Sequence, residues 1–125
     1  MNTLANILVG LVALLHLYFL VLEMFPWRRP LGRRVFHLTE EQAAATATMA
    51  ANQGLYNGFL SAGLLWSLIA APAWRTPLAI FFCGCVIAAG IFGAITVSRR
   101  ILLVQALPAA LALAARWMAV ASSQV

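Results

Sequence analysis

The sequence predicts an all-α membrane protein: four transmembrane helices in a compact bundle, with both termini outside the cytoplasm. Three observations carry this reading. The chain of 125 residues is 64% hydrophobic, more than a soluble domain of its size can bury. Its apolar residues fall into four segments, each near or above the ~20 residues that cross a bilayer core. Its arginines gather in alternate loops. The net charge of +5 comes from eight Arg and no Lys. In a soluble chain that excess would point to nucleic acid. In a membrane chain it marks the cytoplasmic side, and no nucleic-acid-binding module is visible.

The first segment, about 3–25, is no cleavable signal peptide. It lacks a basic start, is too long, and carries His16 and Glu23. Pro26 and Pro30 stop it. The loop that follows, 26–39, mixes Arg28, Arg29, Arg33 and Arg34 with aromatics, which suits the anionic headgroups of membrane lipids. His37 reads as an interfacial loop residue. Thr39 and Gln42 form a capping box that starts the second helix at residue 40. Running to 71, that helix would be ~48 Å long, so it tilts or projects into the cytoplasm.

The third helix is expected over 77–97 and the fourth over 101–121, joined as a tight hairpin. All four belong to one domain, 1–125. Six of the eight arginines then fall in the first and third loops, which puts those loops in the cytoplasm of a bacterial inner membrane. Trp66, Trp74 and Trp117 mark the outer interface and Trp27 the inner one. Cys83 and Cys85 sit two apart on a helix, on nearly opposite faces, and read as small apolar residues. With two His in the chain and no soft-ligand cluster, no metal and no cofactor is expected.

The stretch "AANQGLYNGFLSAGLLW" raises the functional question. Polar groups cost free energy in hydrocarbon unless partnered. Asn52 and Tyr56 share one helical line and Gln53 and Asn57 the next, forming a polar stripe. Gly54 and Gly58 follow another line, suited to close helix packing, as are Gly90 and Gly93 in the third helix. Gln53-Gly54 and Asn57-Gly58 are also turn signals, so a locally unwound helix is an open alternative.

The first helix adds His16 and Glu23, seven residues apart and within ~20° of one face. Thr96 and, beside Pro108, Gln105 complete the set. His16, Glu23, Asn52, Gln53, Tyr56, Asn57, Thr96 and Gln105 all fall between the membrane middle and its cytoplasmic end, where a polar binding pocket is expected. The blander readings are an interfacial Glu23 paired with Arg28 or Arg100, a neutral His16 bonded to a neighbouring helix, and Thr96 bonded to its own backbone.

"LVALLHLYFLVLEMFPW", "ANQGLYNGFLSAGLLW" and "AGIFGAITVSRRILLVQALPA" resemble the motifs of a small bacterial integral-membrane family, domain of unknown function 1304. The resemblance covers nearly the whole chain and implies a four-helix membrane protein with those eight polar residues at motif positions. Phe92 stands where the family often has Tyr, and Arg100 where it often has Lys.

No reaction follows from the resemblance, and three readings stay open. The first is a binding or transport protein for a small polar or cationic solute, coupled to protons, with Glu23 as counter-charge; such a chain would have to form a homodimer to enclose a path. The second is a membrane enzyme of isomerase or hydratase type acting on a lipophilic substrate, with His16 and Glu23 exchanging protons. The third is a structural or assembly subunit whose polar residues fix helix register.

Overall fold

The computed structural model describes residues 2–122 and is all-α. Helix α1 spans Asn2–Met24, α2 Pro30–Phe36, α3 Glu40–Ile69 and α4 Pro72–Thr96. A π-helical turn, Leu102–Ala106, leads into α5, Leu107–Ala121. Successive long helices run antiparallel. Helix α1 packs against α3 and α5, and α4 closes the ring by packing against the same two.

Local chemistry sets the boundaries. The Thr39 hydroxyl accepts from the Gln42 backbone N–H, and the Gln42 side chain accepts from the Thr39 N–H, the capping box expected for α3. Pro72 takes the first position of α4, where its missing N–H costs nothing and its fixed φ suits a helix. Helix α4 therefore begins five residues ahead of the expected 77, with Pro77 inside it. Only residues 70 and 71 join α3 to α4.

The basic loop carries a short helix of its own, α2. It closes at His37, whose φ of 54° is the left-handed conformation of a helix C-cap. Trp27 holds this loop down: its ring lies 4.6 Å from that of Phe36, and its indole N–H donates to Thr46 on α3.

Packing inverts the soluble pattern. The buried core is built of small and medium residues: Val9, Val12 and Ala13 of α1, Leu64 of α3, Ala79, Cys83 and Val86 of α4, and Ala109 and Ala112 of α5. Large apolar residues face outward, among them Leu4, Ile7, Phe81, Phe92 and Ile95. A soluble monomer does not expose apolar surface on this scale.

Three helices are long and apolar enough to cross a membrane: Thr3–Met24, Pro72–Thr96 and Leu102–Ala121. Helix α3 is the longest, at 30 residues, but Glu40, Glu41, Gln42 and the later amides dilute its apolar content, and it is not among them.

Candidate functional site

The site begins at His16 of α1, which is fully buried and faces the π-helical turn. Its Nδ1 lies 2.9 Å from the carbonyl oxygen of Val12, one turn back on α1. A carbonyl only accepts, so Nδ1 carries the proton. The other ring nitrogen, Nε2, faces the amide nitrogen of Gln105 at 3.4 Å. An amide NH₂ only donates, so Nε2 accepts and the ring is in its Nδ1–H tautomer. At that distance the second bond is weak. The ring of Phe19 stands edge-on to the imidazole, 5.9 Å away.

Gln105 belongs to the π-helical turn, and Pro108 explains why the turn is there. A proline ring clashes with the carbonyl four residues back, here that of Val104. Widening the helix by one residue relieves the clash; Leu107 N–H bonds to Leu102 O, the five-residue spacing of a π-turn. Across from the turn, Gly90 of α4 has no side chain to hold Ala106 away: a Cβ there would sit 2.8 Å from the Ala106 nitrogen.

Two turns along α1, Glu23 is half-buried. Its Oε2 accepts from the Asn57 amide at 2.7 Å. Among the described residues no arginine pairs with it, and the one salt bridge is Arg33–Glu40 in the basic loop. The pairing with Arg28 or Arg100 is therefore not the one formed. Gly54 lets α1 and α3 approach here; a Cβ on it would stand 3.1 Å from the Leu20 carbonyl oxygen and 3.2 Å from Glu23 Cβ. Gly58 is filled by the Leu20 side chain and Gly93 by that of Ile101, so both meet side chains in place of backbone.

The remaining polar residues sit apart from these two pairs. Asn52, Gln53 and Tyr56 are exposed on the outer surface of α3, Tyr56 at 55%. Thr96 is exposed, and its hydroxyl donates to Phe92 O one turn back, the bonding of a helical threonine to its own backbone. Helix α3 is continuous through Gln53-Gly54 and Asn57-Gly58, so it is not unwound there. The structure thus brings together His16 with Gln105 and Glu23 with Asn57. It leaves three groups of α3 facing out at the depth of the second pair.

Other partnered groups escaped the sequence reading. Ser61 is buried and its hydroxyl donates to Ala13 O at 2.9 Å, tying α3 to α1. Arg116, one of the two arginines outside the basic loops, is only 4% exposed and donates to Asn6 Oδ1 at 2.6 Å. The signal was available: an arginine between apolar residues within a spanning segment warrants attention by default.

The family model described as "Protein of unknown function (DUF1304)" matches residues 10–117. The chain belongs to this family. The matched span contains every one of the eight polar residues above. A chain from Lactococcus lactis subsp. lactis (strain IL1403), "Uncharacterized protein YpaA", is 31% identical over 115 residues, covering 90% of this chain and 96% of its own. No solved structure matches.

Proposed function

We propose that this chain is a four-span protein of the bacterial cytoplasmic membrane, with both termini outside, that binds a small polar or cationic solute in the cytoplasmic half of its bundle. One observation carries the reading: Glu23 lies half-buried at the end of a membrane-length helix, bonded to a neutral amide and to no arginine among the described residues. A carboxylate so placed is a counter-charge without its cation.

Packing supports the fourth span. Helix α3 lies along α1 from Asn57 beside Glu23 to Leu68 beside Gly10, which favours α3 crossing the membrane together with α1 in this reading. In this reading the solute sits at Glu23 and Asn57, with Asn52, Gln53 and Tyr56 of the same helix offering donors and acceptors at that depth. A second copy laid against the exposed face of α3 would enclose the path and make a homodimer the transporting unit, with Glu23 exchanging the solute for a proton.

The test is ligand-induced stabilisation of the purified protein in detergent, with guanidinium and tetraethylammonium as probe cations. A ligand at 100 times its Kd adds about 2.7 kcal/mol to stability. Wild type should gain in melting temperature, and Glu23→Gln should fold but gain nothing. Equal gains in both proteins would remove Glu23 from the site.

A further inference from the structure

The opposite end of the bundle holds a second group of polar residues that the proposed function does not use. A cleft of about 290 Å³ opens there, lined by Asn6, Arg75, Thr76 and Arg116 among others. Arg116 is 4% exposed, and its Nε is buried with no hydrogen-bond partner among the described residues. Its one bonded partner among the described residues is the neutral Asn6. Arg75 on the same cleft spends its Nε on the Ala70 carbonyl at 2.8 Å, which fixes the guanidinium beside the start of α4.

Two guanidiniums therefore share one small cleft. The three acidic side chains of the chain, Glu23, Glu40 and Glu41, all belong to the other end. Among the described residues no carboxylate joins them in the cleft; like charges gathered so repel each other, and a buried cation without an anion is costly. The N-terminal end of a 25-residue helix adds further positive potential at the same place.

Trp66, Trp74 and Trp117 ring this end of the bundle and are all exposed, at 54%, 63% and 66%. Exposed tryptophans at the end of a membrane bundle mark the interface, the depth at which phospholipid phosphates lie. The geometry is that of an oxyanion site opening at headgroup level. We propose that this cleft holds the phosphate of an anionic phospholipid, gripped by Arg116 and Arg75, with Thr76 as a further donor.

The inference depends on the chain lying in a membrane. It does not depend on which way the chain faces or on Glu23. The basic loop at the other end lacks this construction, since Arg28, Arg29 and Arg34 are exposed and Arg33 is paired with Glu40.

The test uses native mass spectrometry and thermal stability of the full chain in detergent. The probes are dioleoyl phosphatidylglycerol, dioleoylglycerol without phosphate, and inorganic phosphate. Wild type should retain one phosphatidylglycerol and melt higher with it, while dioleoylglycerol and inorganic phosphate do neither. Arg75→Gln should weaken retention about tenfold, as loss of one charge-assisted grip implies. Arg116→Lys, which keeps the charge but loses the planar fork, should weaken it too. Arg34→Gln should leave it unchanged.

If Arg116→Lys fails to fold, Arg75→Gln carries the test, because that side chain is exposed. Retention by Arg75→Gln equal to wild type would overturn the site. Stabilisation by inorganic phosphate equal to that by the lipid would overturn the lipid assignment, and equal retention of dioleoylglycerol would overturn the phosphate assignment.

Discussion

Gly84 and Gly90 lie on the same helix six residues apart, and the structure assigns them opposite sensitivities. A Cβ at Gly90 would stand 2.8 Å from the Ala106 nitrogen, 2.9 Å from its Cβ and 3.1 Å from its Cα. Two of those atoms are backbone, and the backbone in question is the π-turn. Relief therefore means moving α4 from the turn by about half an ångström or more, because no flexible side chain can give way. Overpacking of this kind costs about 1–3 kcal/mol, offset by the ~1 kcal/mol that alanine gains over glycine in a helix.

At Gly84 a Cβ would meet nothing within 4 Å, so only the propensity gain remains. Gly84→Ala should thus be neutral or up to ~1 kcal/mol more stable, and Gly90→Ala up to ~2 kcal/mol less stable than wild type. Unfolding in mixed detergent micelles would read the difference directly. In a thermal melt about 4 °C corresponds to each kcal/mol for a chain of this size. Because the π-turn carries Gln105, Gly90→Ala should also shift the imidazole nitrogen resonances of His16, whereas Gly84→Ala should not. A Gly90→Ala protein as stable as Gly84→Ala would refute the claim that α4 and the π-turn are in rigid contact.

Three further outcomes are expected. Ser61→Ala removes a buried hydroxyl that donates to Ala13 O, and should cost about 0.6–1 kcal/mol in the same micelle titration; a null effect would mean that the bond contributes nothing to joining α1 and α3. Gln105→Leu leaves His16 Nε2 without its partner in a buried position and should cost about 1–2 kcal/mol, while Gln105→Asn, too short to reach, should cost nearly the same; full rescue by asparagine would contradict the assigned pairing. Reporter fusions should place residue 32 in the cytoplasm and the C-terminus outside, and the reverse pattern would overturn the topology drawn from the arginines.

The helices were legible because their signals are local. Thr39 and Gln42 state the start of α3 within four residues, and predominantly apolar runs mark the other three long segments. The start of α4 was harder to read: Pro77 looks like a first-turn residue, yet Pro72 already serves that purpose and the helix tolerates the second proline near its N-terminus.

The polar residues were legible as a set but not in their pairing. Helical periodicity puts Asn52, Gln53, Tyr56 and Asn57 on one broad stripe, yet only Asn57 turns toward α1. A stripe about two residues wide can straddle the edge of a helix contact, and the sequence of one helix does not say where its neighbour ends. The π-turn was hidden for a related reason. Pro108 announces a disturbed ladder, but whether the helix kinks or widens depends on the space that Gly90 opens on α4, eighteen residues away.

These pairings explain how a helix as polar as α3 can belong to the bundle. By composition it does not qualify as a membrane span, while the other three long helices do. Its partners compensate. Asn57 meets Glu23, Ser61 meets the Ala13 carbonyl, and Gly54 brings the two backbones close. Each is a bond or an approach that α3 can make only with α1 beside it. Interhelical polar contacts contribute on average only ~0.6 kcal/mol apiece, so the seam needs several of them along its length. What α1 does not satisfy is the outer face, where Asn52, Gln53 and Tyr56 remain exposed. In hydrocarbon those groups would lack partners at a cost comparable to the whole α1–α3 seam. In the proposed function the face that carries them is where water, solute or a second copy meets the protein, beside the half-buried carboxylate of Glu23.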